Sequence, residues 1–228
     1  MTELLIASIA FAGTHFLLSH PLRTPLIGRI GEGPFLGLYS LVAFVTLGWT
    51  GYAFYRAPAT EPLWAGTTDL FWAIATVIML IASMLFAGSL AQNPAAPSPG
   101  KMPDFSRPAT GVFAITRHPM MWSFALWGIA HILVTPRMAD IILAGAIIVV
   151  ALGGSWGQDI KKRRLYGEAW TVWEKRTSYI PFARQLAGGA NWAATVPTLR
   201  VTLIGIVLWL VATLLHGGLG AGIWRWIG

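Results

Sequence analysis

Five histidines are spread along a chain of 228 residues that contains no cysteine. Two of them, His15 and His131, fall inside stretches apolar enough to cross a bilayer. An ionisable side chain at that depth needs a partner to offset its desolvation, so it reads first as a functional site. Neutral imidazole is a good ligand for iron. For one such histidine, a hydrogen bond to a carbonyl or hydroxyl of a neighbouring helix is sufficient explanation. With two in separate stretches, shared ligation of a metal becomes competitive. At a rise of about 1.5 Å per residue, His131 stands about 16 Å above the inner end of its stretch and His15 about 8 Å above its own. Helix tilt and side-chain length reduce that gap.

A third candidate is the pair Arg117 and His118 in Thr116-Arg117-His118-Pro119. Pro119 suits the first turn of a helix, where its missing N–H is no loss. Arg117 and His118 then crown a helix N-terminus, which favours an anion or a propionate; plain structural capping is the alternative. His20 reads as an interfacial residue and His216 as a solvated helix end. The absence of cysteine excludes disulfides, thiolate ligands and cysteine nucleophiles.

These residues need elements to hold them, and composition says which. The chain is 55% hydrophobic and 11% charged, so much of it faces lipid. Six apolar runs approach the roughly 20 residues of a spanning helix: Leu4–Leu18, Phe35–Tyr55, Leu70–Ala91, Met120–Val134, Ile141–Trp156 and Leu199–Leu215. Residues 135–140, with Pro136, make a tight hairpin between the fourth and fifth. The first run carries Glu3 in place of a basic leader and reads as a mature helix. The expected fold is all-α, a polytopic membrane helix bundle, with residues 1–228 forming a single domain.

Charge placement orients that bundle. With the N-terminus outside, thirteen of the sixteen Lys and Arg fall on inward segments, and only Arg56, Arg137 and Arg225 lie outside. The positive-inside rule then places both termini on the extracytoplasmic side; the expected location is a bacterial inner membrane. The formal charge of +7 is thus topogenic, and no nucleic-acid partner is expected. Two inward segments are more than connectors. Residues 92–116 are rich in Pro and small residues and read as a loop over the bundle. Residues 158–176 read as one cytoplasmic amphipathic helix, with Tyr166, Trp170 and Trp173 in an aromatic stripe. That stripe either anchors the helix in the membrane interface or closes a binding site.

The blocks Phe11–Arg23, Gly31–Ser40, Asn93-Pro94 and Ile115–His131 together resemble the NnrU family over nearly the whole chain. That family is similar to 15-cis-zeta-carotene isomerase, an integral membrane enzyme that uses haem b. The resemblance implies haem b, with His15 and His131 matching the iron ligands. It implies redox-dependent, isomerase-like chemistry on an apolar polyene or lipid-like substrate, with membrane lipid and an electron donor as partners. The family name also carries an association with denitrification, implying a non-catalytic membrane factor as an alternative. One departure is specific: the isomerase has a cysteine where this chain has Gly128, so a thiolate–iron state is excluded. A second resemblance, to membrane methyltransferases that use S-adenosylmethionine, rests on Thr116–Pro119, Leu165–Trp170 and Ile180-Pro181. Gln158, Trp170 and Trp173 depart from that pattern, so it supports a shared scaffold more than a shared function.

Overall fold

The computed structural model describes residues 1–91, 93–94, 103–216 and 221–227, and among these every regular element is helical. The helices are α1 (Thr2–Ser19), α2 (Arg23–Ile30), α3 (Glu32–Tyr55), α4 (Asp69–Ser89), α5 (Val112–Ile115) and α6 (Pro119–Val134). They continue as α7 (Met138–Tyr166), α8 (Glu168–Arg176), α9 (Ala183–Leu186), α10 (Leu199–Leu215) and α11 (Trp224–Ile227). Four of them, α1, α3, α4 and α7, have the length and composition to cross a membrane. The expected fourth and sixth spans form as apolar helices of 16 and 17 residues. At about 24–26 Å each they fall somewhat short of a hydrocarbon core of about 30 Å.

Local signals explain the boundaries. Thr68 and Thr198 cap α4 and α10 by accepting from the N–H groups of Phe71 and Val201. Pro119 opens α6 at its first turn. The helices pack as a row in the order α3, α1, α7, α6, α4, α10. Small residues set the spacing between neighbours. A Cβ on Gly153 would lie 2.8 Å from Phe16 of α1, and one on Gly205 of α10 would lie 2.9 Å from Met84 of α4. Outward faces are apolar: Ile9 of α1 is 63% exposed and Phe44 of α3 is 73% exposed. Faces of that kind suit lipid rather than water.

Two expectations about the inward segments need correction. Residues 158–176 are not one helix: their first part continues α7 to Tyr166, and Gly167, at φ 52°, turns the chain into α8. Trp170 and Trp173 do not lie in a lipid interface either. Both are completely buried, packed with Phe105, Phe113 and Ile115. The loop that supplies those partners contains a short buried helix, α5, so residues 92–116 are not wholly irregular. Residues 92 and 95–102 of that loop lie outside the described residues.

Candidate functional site

His15 lines a large cavity, about 1180 Å³, between α1, α2, α3 and α7, with Met121 and Phe124 of α6 completing it. Most of the wall is apolar, including Phe11, Phe35, Leu47, Ile147 and Val150. Polar side chains gather at one end, where α1 and α7 finish: Ser19, Arg23, Glu32, Gln158, Lys161 and Lys162. The volume exceeds the usual range of about 300–1,000 Å³ for a small-molecule pocket, so an elongated ligand, or two ligands, can be accommodated.

The His15 ring is held in a defined way. Its Nδ1 lies 2.8 Å from the carbonyl of Phe11, one turn back on α1. A carbonyl only accepts, so Nδ1 carries the proton and a neutral ring leaves Nε2 with its lone pair. The Phe11 ring packs edge-on at 4.4 Å and the Tyr39 ring at 5.6 Å between centroids. A backbone carbonyl holding one ring nitrogen while the other is free is the usual outer support of a metal-bound histidine.

His131 is anchored alike, its Nδ1 2.8 Å from the carbonyl of Trp127. It belongs to a different place. Its ring faces His216, at the end of α10, with 6.1 Å between centroids, and it is not part of the cavity wall. Helix α7 serves as a ruler. Phe16 meets Gly153, whereas Gly128 meets Ala144 and Ile148. His15 and His131 are therefore offset by roughly nine residues along α7, about 13 Å. The structure does not bring the two histidines to one point.

Arg117 and His118 form a third, closed cluster. Arg117 donates to Asp159 Oδ2 from Nε at 2.8 Å and from Nη2 at 2.5 Å, and Glu174 lies 3.6 Å from the same guanidinium. His118 Nε2 sits 2.7 Å from Asp159 Oδ1. Near-complete burial pushes the His118 pKa below its ordinary 6.5. Asp159 is already countered by Arg117, so a neutral His118 donating to it satisfies the geometry. Backbone links tie the cluster to the chain beyond α8: Arg117 N donates to Ser178 O, Thr116 Oγ1 to Tyr179 O and Phe182 N to Ile115 O. The helix end expected to receive an anion thus receives Asp159 from α7. Of the blocks that resemble methyltransferases, Thr116 and Arg117 bond to Tyr179 and Ser178, just before Ile180-Pro181, and Trp170 shares a core with Ile115.

Sequence reasoning did not find Asp159 as the hub, nor Arg23, Tyr39 and Lys161 as cavity wall. Asp159 left a trace, as a single acid at the inner end of an apolar run and just before four consecutive bases. The others left none, because which face of α2 or α3 turns inward depends on α1 and α7.

The family described as NnrU protein matches residues 3–222. The chain belongs to that family. It is also 38% identical over 79 residues to the chloroplastic 15-cis-zeta-carotene isomerase of Zea mays. Over 79 residues it is 37% identical to the chloroplastic 15-cis-zeta-carotene isomerase of Arabidopsis thaliana. Each alignment covers 35% of this chain and 22% of the plant protein, so the chain matches under a quarter of the length of these curated relatives. No solved structure matches the chain.

Proposed function

We propose that this protein is an isomerase-like membrane enzyme acting on an elongated apolar substrate, such as a polyene, in the cavity lined by His15. The observation that carries the reading is an oriented histidine inside a large, mostly apolar cavity. The isomerase relatives support the reaction class.

We extend the proposal to haem b as cofactor, because the donor set fits on one side. His15 offers Nε2, the walls are apolar and aromatic, and the polar end carries cations suited to carboxylates. When bound, haem b would supply a redox-active iron, with His15 as the residue that would hold it. The Phe11 carbonyl fixes the His15 tautomer and ring orientation. Phe11, Phe35, Leu36 and Phe124 exclude water and align a polyene along the wall. An electron donor external to this chain provides the reducing state.

Absorption spectra of the purified full-length protein, oxidised and reduced, test the cofactor. A Soret band lost in His15→Ala supports it; a colourless wild type reconstituted with haem overturns it. His131→Ala distinguishes two forms of ligation. Unchanged haem content supports His15 as the single ligand in this cavity, and loss in both variants supports the pairing implied by the family resemblance. Turnover is tested by giving the reduced, haem-loaded protein tri-cis zeta-carotene and separating the products by chromatography. Equal conversion by the oxidised protein or by the His15→Ala variant would sink the haem-dependent reaction.

A further inference from the structure

The polar end of the cavity carries charge that the fold does not balance. Arg23, Lys161 and Lys162 line it, and among the described residues of the wall Glu32 is the only acid. Arg23 Nη2 donates to Glu32 at 3.0 Å, which accounts for one cation. Lys162 is used inside the fold: its Nζ donates to the Pro94 carbonyl at 2.9 Å and lies over the rings of Tyr166 and Trp170. Lys161 makes no hydrogen bond or ion pair among the described residues, and the charges that act on it are Arg23 and Glu32. A lysine near a helix end ordinarily snorkels into headgroup water. Its neighbour Arg163 behaves in the surface manner, exposed and paired with Glu174. Lys161 instead stands partly buried in the cavity wall. Glu32, the acid that acts on it, is already paired with Arg23, so this partly desolvated ammonium has no counter-charge of its own, and an anion beside it restores the balance.

We propose that this end of the cavity binds the anionic head of a membrane amphiphile, with Lys161 and Arg23 as the charged contacts. The apolar body then lies along the wall that carries His15. The proposal rests on the reading that the cavity is the ligand site, and it adds the class of a second ligand beside the uncharged polyene: a carboxylate or phosphate on a long apolar or conjugated body. Arg23 and Lys161 line the cavity from α2 and α7, so the head is recognised from two helices at once.

The test uses the full-length protein in an uncharged detergent with two fluorescent polyene probes, cis-parinaric acid and its methyl ester. They share the apolar body and differ in charge. The acid is expected to bind about tenfold more tightly than the ester, the scale of one charge-assisted hydrogen bond. Lys161→Gln should abolish the preference while keeping ester affinity, which also shows that the variant is folded. Lys161→Arg should retain it, and Arg200→Gln, at an exposed site at the start of α10, should leave it unchanged. Equal binding of acid and ester by the wild type would overturn the anion site and leave the cavity reading standing. Failure of both probes to bind would overturn the two together. Displacement of the acid by haemin or by lysophosphatidic acid then tells a carboxylate-bearing cofactor from a lipid phosphate as the source of the head.

Discussion

At the scale of single residues, Asp159 carries more of the fold than any histidine. It accepts from Arg117 and His118 at once, and both are buried. Asp159→Ala leaves a buried guanidinium and a buried imidazole without their acceptor, and a loss of about 3–5 kcal/mol follows. A large fall in thermal stability, measured by intrinsic tryptophan fluorescence, is the expected result; a fall of only a degree or two would deny Asp159 this role. The same cluster has a pH signature. Burial depresses the His118 pKa below 6.5, so in acid the unfolded chain takes a proton that the folded chain refuses. The stabilising contribution is therefore complete above pH 6.5 and is lost as pH falls through the lower folded value. Asp159, Arg117, Lys162 and the Tyr179 ring face this imidazole. The melting temperature should drop on acidification from pH 7 to pH 5, with a shallower slope in His118→Gln.

At the scale of elements, the contact between α6 and α7 requires a small residue at position 128. A Cβ there would lie 2.7 Å from Ile148 Cγ1 and 3.1 Å from the Ala144 carbonyl. A cysteine at this position would not fit against α7 at this spacing. Its absence here belongs with close helix packing. Gly128→Cys should destabilise the protein by about 1–3 kcal/mol through overpacking. Ile148→Ala in the same chain should recover part of the loss. Unchanged stability in the single variant would mean that α6 and α7 stand further apart than described. The junction of α7 and α8 obeys similar logic. Gly167 takes a positive φ, and that turn lets Trp170 and Trp173 enter the core formed with Phe105 and Phe113.

At the scale of the whole molecule, topology follows from helix order and from the distribution of Lys and Arg. Helices α1 and α7 run parallel, since Met1, Leu4 and Ala7 pack near Ala139 and Ile142 while Phe16 meets Gly153. The polar end of the cavity therefore lies where both helices finish, on the side with the excess of basic residues. We expect this side to face the cytoplasm. A reporter inserted after Arg184 should behave as cytoplasmic, and one fused after Gly228 should be active only outside. A cytoplasmic signal from the second fusion would show that α6 and α10, the two shorter apolar helices, do not both span.

Helix class, the apolar runs and most of their boundaries were legible because they depend on local properties. Runs of apolar residues and Pro119 at a first turn act within a few positions of the chain. The place of His15 within an apolar run was equally readable. Partnership was not. An imidazole in a helix can turn toward any of several neighbours, and only the packing order set His15 against Tyr39 and His131 against His216. An aromatic stripe looks alike whether lipid or a loop covers it, so the burial of Trp170 and Trp173 awaited the path of residues 103–115. Arg117 and His118 marked a helix N-terminus in the sequence, but the anion they receive, Asp159, comes from 41 and 42 residues further along the chain. Local sequence sets which residues are costly to bury. Tertiary packing decides which partner meets that cost.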